Sequence, residues 1–135
     1  MRCKLLVVLS TLFLVSPLAG CSSEARPEDV DKAAGVFFER LKSAEYDAIY
    51  DDAAQAFKDQ NSRAATLDNL KQITAIGRIA LHKRISMTFG KEGDGRISTP
   101  VYAVIFDASR TEITLTFLDA RGDWKLLGFS VKQRS

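Results

Sequence analysis

The hydrophobic residues of this 135-residue chain change their spacing at Gly77. Before Gly77 they recur every three or four residues, which is the period of a helix with one buried face. After Gly77 they alternate with polar residues, which is the period of a strand with one buried face. The chain therefore divides into a helical first part and a β second part. This order predicts an α+β domain with its helices packed on one face of a sheet.

The pattern predicts about three N-terminal helices, over about 28–43, about 45–58 and from Asn61 to Gly77. Pro27 and the acidic residues after it are typical of a helix start, Asn61 and Ser62 are predicted to cap the third helix, and glycine often ends a helix. Four strands are predicted, over 81–89, 99–107, 111–119 and 124–132. The loops between them are short, so successive strands should pair in antiparallel fashion. We expect a curved four-stranded antiparallel sheet.

Residues 1–20 are predicted to be a cleaved signal helix. Arg2 and Lys4 give the amino terminus a positive charge, and a largely apolar run follows over 5–18. This arrangement is typical of a secretory signal peptide. The run is shorter than the roughly 20 apolar residues that a membrane-spanning helix needs. An uncleaved anchor helix is the alternative.

The signal ends in Leu18, Ala19, Gly20 and Cys21, which resemble the bacterial lipobox. The resemblance implies cleavage between Gly20 and Cys21 and attachment of acyl chains to Cys21. Residues 21–26 would then be a lipidated tether, and residues 27–135 a single domain. More than one acyl chain makes such anchoring stable. Ser22 follows the cysteine where aspartate would favour the inner membrane in enterobacterial-like sorting, so we expect the periplasmic leaflet of the outer membrane.

The charge of the mature chain is balanced overall but unevenly distributed. Loss of Arg2 and Lys4 lowers the basic residues from 19 to 17, equal to the 17 acidic residues. This balance argues against a nucleic-acid partner. Residues 24–68 hold eleven acids and six bases, whereas residues 69–135 hold six acids and eleven bases. The sheet half should therefore face an anionic membrane or an acidic envelope protein, unless its charges are simply solvated.

Three passages resemble the nuclear-transport-factor-2-like superfamily, whose domains have a cone-shaped α+β fold. They are residues 43–50, Phe57 with the helix over 67–77, and the closing strand 122–129 with Trp124 and Gly128. The resemblance covers about residues 28–132. It implies a cavity between helices and sheet, which is the usual ligand site of that fold. Known members include isomerases, cyclases and dehydratases, and many others only bind ligands or proteins.

Tyr50, Tyr102 and Trp124 could line such a cavity or fill it as core residues. His82 is the sole histidine and alternation places it with Arg84, on the face opposite the apolar residues of its strand. It could be a general base in the cavity, or an ordinary exposed or hydrogen-bonded strand residue.

Asp47 and Asp51 are four residues apart and share a helix face, where they could do acid–base chemistry or be solvated. No residue is assigned as catalytic or as a metal ligand, and no cofactor is expected. We therefore expect a non-catalytic binding or accessory module of the cell envelope. A small-molecule-binding or isomerase-like enzyme that uses the pocket is the alternative.

Overall fold

The computed structural model describes residues 25–107 and 109–133. The predicted signal peptide and the predicted lipid-attachment residue Cys21 lie outside the described residues. Four helices precede four strands, which confirms the α+β class and the order of elements. The helices are α1 (Pro27–Lys42), α2 (Tyr46–Asp51), α3 (Gln55–Gln60) and α4 (Arg63–Thr74). The strands are β1 (Ile79–Glu92), β2 (Gly95–Phe106), β3 (Ser109–Ala120) and β4 (Asp123–Gln133).

The predicted second helix over 45–58 is two helices, so the expected number of three is wrong by one. The helix is interrupted at Ala53 and Ala54, which are both buried. The backbone N–H of Ala54 leaves the helical ladder and donates a 2.8 Å hydrogen bond to the carbonyl of Leu126 in β4. This bond joins residues 72 positions apart, so the local spacing of hydrophobic residues does not predict it. It also covers part of the β4 edge of the sheet.

The ends of α1 and α4 follow the sequence signals. Pro27 occupies the first turn of α1, where its missing N–H costs nothing. Ser62 caps α4 by accepting a 3.1 Å hydrogen bond from the backbone N–H of Ala65. Gly77 follows α4 with φ +152°, and a Cβ there would lie 2.9 Å from a carboxylate oxygen of Asp107. A side chain at position 77 would therefore disturb the turn into β1.

The strands pair in the order β1-β2-β3-β4, and every pair is antiparallel. This confirms the predicted meander. The sheet is open, with β1 at one edge and β4 at the other. We call the face that carries Tyr102 and Ile113 the inner face, because both side chains are buried in the core with residues of the helices. The face that carries Ala103 and Glu112 is the outer face.

The core lies between the helices and the inner face. From α1 it takes Phe38 and Leu41, both fully buried, and from β3 it takes Ile113 and Leu115, also fully buried. The buried side chains of β3 occur at every second position, as alternation in the sequence predicts. Burial of these apolar side chains is the main source of stability available to a domain of this size.

Alternation in β1 is interrupted by a register shift between Arg84 and Ser86. An extra residue in one strand of a pair moves the following side chains to the other face. Met87 consequently packs against the core, whereas Leu81 and Ile85 are 60% and 49% exposed. The apolar residues of this strand are thus divided between two environments, although a single buried face is the simplest interpretation of the sequence.

We expect Leu115→Ala to lower the free energy of unfolding by about 2–5 kcal/mol, because it removes buried methyl groups and leaves a cavity. Urea denaturation followed by circular dichroism measures this change. Ser130→Ala, at an exposed position of the neighbouring strand, is the control and should change stability by less than about 0.5 kcal/mol. Equal effects of the two substitutions would contradict the assignment of the inner face as the core.

Candidate functional site

His82 lies on the inner face, against the helical layer. Its ring stacks on Phe38, with centroids 4.3 Å apart and planes inclined by 22°. The ring of Tyr102 lies 6.0 Å away at a steep angle. Partial burial lowers the pKa of His82, nearby Lys42 lowers it further, and Glu39 opposes this change. The structure places His82 and Arg84 on one face, as alternation predicts, but that face is the inner one, so aromatic side chains cover His82.

Tyr102 connects the sheet to α1 through a partly buried polar contact. Its hydroxyl donates a 2.8 Å hydrogen bond to Asp31, and the other oxygen of Asp31 lies 3.0 Å from the guanidinium of Arg84. Burial raises the pKa of Tyr102 well above its usual value, and the bond to Asp31 adds to the effect. The phenol therefore stays protonated near neutral pH and acts as a donor. Asp31 joins three elements, a role that the sequence did not reveal.

Tyr50 lies in a second polar cluster, between α2 and α4. Its hydroxyl donates a 2.8 Å hydrogen bond to the carbonyl of Asn61. Arg63 contacts Asp51, approaches Asp47 to 2.7 Å and places its guanidinium carbon 4.9 Å from the centre of the Tyr50 ring. The two carboxylates raise the pKa of Arg63. The guanidinium of Arg63 therefore bridges the two carboxylates of this helix face and links α2 to α4.

Trp124 lies at an inner cleft of about 350 Å³ between α1, α2 and the β3–β4 hairpin. Phe37, Phe117 and Leu126 contribute the apolar lining of this inner cleft. Charged residues also line it, and four of them form two ion pairs. Arg40 pairs with Asp52 at 2.5 Å, and Lys125 lies 3.8 Å from Asp123.

The four residues predicted for a pocket occupy three different places. His82 and Tyr102 are neighbours beneath α1, Tyr50 contacts Phe57, and Trp124 lies 6.3 Å from Phe89. Of the four, Trp124 is the one that lines the inner cleft. Within residues 25–107 and 109–133, no group of three or more acidic, histidine or cysteine side chains is arranged to hold a metal ion.

The outer face of the sheet carries a row of side chains that crosses all four strands. Lys83 pairs with Ala103, Ala103 with Glu112, and Glu112 with Lys132. The adjacent row contains Leu81, Ile105 and Arg110 at paired positions. We call these residues the outer-face rows. They combine three basic side chains with one acidic side chain, and they include the most exposed large apolar residue among the described residues, Leu81.

No protein family model matches the chain, and no characterised protein shows significant sequence similarity to it. The interpretation of the site therefore depends on its own geometry.

We expect the imidazole of His82 to titrate with a midpoint below 6.5, because partial burial penalises the charged ring. The chain has one histidine, so its ring signals in a proton NMR titration need no assignment. The same chain unfolded in urea is the matched control and should titrate near about 6.5. Coincident midpoints in the two states would show that the stack on Phe38 does not shield the ring.

The lowered pKa also predicts the direction of a stability change with pH. The unfolded chain gains a proton on His82 as pH falls through about 6.5, before the folded chain does. The contribution of neutral His82 to stability is therefore present above this pH and is lost below it. His82→Gln should remove this part of the pH dependence, so the difference in unfolding free energy between the two proteins should change as pH falls. A constant difference across that range would contradict the linkage.

Proposed function

We propose that this protein is an exported lipoprotein, anchored by acyl chains on Cys21, whose domain is a non-catalytic binding or accessory module of the cell envelope. The observation that carries the proposal is the sequence Leu18-Ala19-Gly20-Cys21 at the end of a basic and then apolar segment. A diacylglyceryl thioether on Cys21 and an acylated amine would anchor the protein stably. Among the described residues no helix is both long and apolar enough to cross a membrane. Ser22 favours the periplasmic leaflet of the outer membrane.

The segment between Cys21 and the domain is short. Helix α1 begins at Pro27, so five residues separate Cys21 from the first helix. Five residues span at most about 18 Å when fully extended. A domain of about 100 residues has a radius of gyration near 13 Å. The domain would therefore act close to the membrane surface, on a partner that is also present there.

The outer-face rows are the surface that we propose for an envelope protein partner. Lys83, Arg110 and Lys132 present positive charge there, and Leu81 adds exposed apolar area. A surface of this composition suits an acidic partner, since complementary charges direct the encounter and apolar contact then stabilises the complex.

The contacts of the titratable groups support a binding role for the domain. Asp47 and Asp51 hold Arg63, and Asp31 holds Tyr102 and Arg84. These carboxylates link one helix to another or a helix to the sheet, and such contacts stabilise the fold.

The order of four helices and an antiparallel meander also supports our proposal that the domain is a nuclear-transport-factor-2-like cone with a curved sheet.

The inner cleft favours a second candidate, a small-molecule-binding or isomerase-like function. Its aromatic lining and charged rim are the usual composition of a ligand site. The two candidates differ in the residues on which they depend. Loss of a cellular phenotype on Lys32→Ala or Trp124→Ala, which change the lining of the inner cleft, with no effect of charge changes on the outer face, would favour the enzyme.

Cys21→Ser should abolish acylation, because serine lacks the thiol that forms the thioether. Intact-mass measurement of the purified protein should show loss of the acyl groups. Fractionation should show the protein released from the membrane or retained as an unprocessed precursor. Ser22→Ala is the matched control and should leave the anchor in place. Unchanged acylation and membrane retention in the Cys21→Ser protein would refute the proposal.

Lys83→Glu combined with Lys132→Glu should reduce capture of the partner from solubilised membranes, because the changes reverse the charge of one outer-face row. The remaining capture should depend less on salt. Lys71→Glu, which alters an exposed lysine of α4, is the matched control and should leave capture unchanged. If both proteins capture the same partner equally well, the partner does not bind the outer face.

A further inference from the structure

We propose that the edge of β1 beside the start of α1 rests on the lipid surface in which Cys21 is anchored. The contact is made by Ile85 and Phe89, together with Pro27, and we call these three residues the β1 patch. The proposal rests on the lipid anchor described above and adds a second, direct contact between domain and bilayer.

The chain enters the domain beside the β1 patch. Pro27 lines a shallow groove together with Ile85, Met87 and Phe89. Pro27 lies six residues after Cys21. Six residues span at most about 20 Å. An acylated Cys21 therefore keeps the start of α1, and the β1 patch beside it, close to the bilayer.

The β1 patch is apolar and partly exposed. Ile85 is 49% exposed and Phe89 is 44% exposed, which leaves much of two large apolar side chains in contact with water. Contact with the boundary between headgroups and acyl chains would remove this apolar surface from water. Both residues lie on β1, which has a strand neighbour on one side only. An edge strand can approach a flat surface without displacing another element.

Charged residues of both signs surround the patch. Arg84 lines the same groove, but its guanidinium pairs with Asp31. Arg26 precedes Pro27 and Lys91 follows Phe89 on β1, whereas Glu28 and Asp29 occupy the first turn of α1. These opposite charges offset one another, so apolar contact dominates and the patch should contact neutral as well as anionic lipid.

Such a contact would orient the domain. With the β1 edge on the bilayer, the sheet stands with its strands beside the membrane and its outer face turned sideways. The outer-face rows then remain accessible to another protein anchored in the same membrane. Lipid contact and partner binding would use different surfaces of one sheet.

Spin labels test the proposal on the lipidated full-length protein, reconstituted in vesicles of phosphatidylethanolamine and phosphatidylglycerol. Cleavage removes Cys3 and acylation blocks the Cys21 thiol, so an introduced cysteine is the one reactive thiol. The nitroxide is attached at Ile85→Cys. Val36→Cys is the matched control, because Val36 is an apolar residue of similar exposure (44%) that lines the inner cleft instead. Relaxation by a water-soluble nickel complex and by oxygen measures the surroundings of each label.

We expect the label at position 85 to become several-fold less accessible to the nickel complex and more accessible to oxygen when the protein is in vesicles. The label at position 36 should not change. Adding Phe89→Ser should restore much of the accessibility at position 85. Equal exposure of both labels on a protein whose mass shows acylated Cys21 would overturn the inference and leave the anchor intact. A mass without acyl groups would instead refute the anchor itself.

Two further outcomes would also overturn the inference. Protection of position 85 in native membranes but not in pure lipid vesicles would identify a protein as the occupant. Protection that appears only at high protein-to-lipid ratio would identify a second copy of this chain. Protection that is independent of protein density and is also seen in vesicles of phosphatidylcholine alone would support a predominantly apolar lipid contact.

Discussion

The packing of α1 across the inner face of the sheet is the constraint on which the other features depend. Phe38 is fully buried and contacts both His82 and Tyr102, so one side chain fixes α1 over β1 and β2. Asp31, two turns earlier in the helix, accepts the hydrogen bond of Tyr102 and pairs with Arg84. Apolar burial supplies the stability of this contact, and the polar bonds select one position of the helix along the strands.

The same packing determines the surroundings of the titratable side chains. Alternation alone places His82 and Arg84 on one face of β1, but it does not say what covers that face. Once α1 is in place, His82 receives an aromatic cover and Arg84 receives a carboxylate. Asp47 and Asp51 are likewise close because of their helical spacing, and a cation from α4 reaches both. Each of these groups has a structural partner from another element.

Local pattern predicted the class of the fold and most of its elements, because helix and strand periods are local properties. It placed α1, the cap of α4 at Ser62 and the alternation of β3 correctly. It did not predict the break at Ala54, since the hydrogen bond to Leu126 comes from a strand far along the chain. Nor did it predict the register shift near Ile85, which depends on how β1 pairs with β2.

The candidate site was less predictable than the fold for the same reason. The pocket hypothesis grouped Tyr50, His82, Tyr102 and Trp124 by residue type, whereas their positions depend on the packing of helices against the sheet. The inner cleft contains Trp124 together with Phe37 and Phe117, and no pattern in the sequence connects these three. A ligand site formed between layers requires the crossing position of α1, which long-range contacts determine.

The two edges of the sheet differ in how far other elements cover them. Ala54 bonds to β4 and α3 packs against it, so that edge is partly covered. The β1 edge instead carries exposed Ile85 and Phe89, and the chain enters the domain beside it at Pro27. A free strand edge with apolar side chains would promote aggregation in solution. Under the proposed acylation of Cys21, this edge would face a lipid surface that covers it, so the proposed anchor and the exposed strand are mutually consistent.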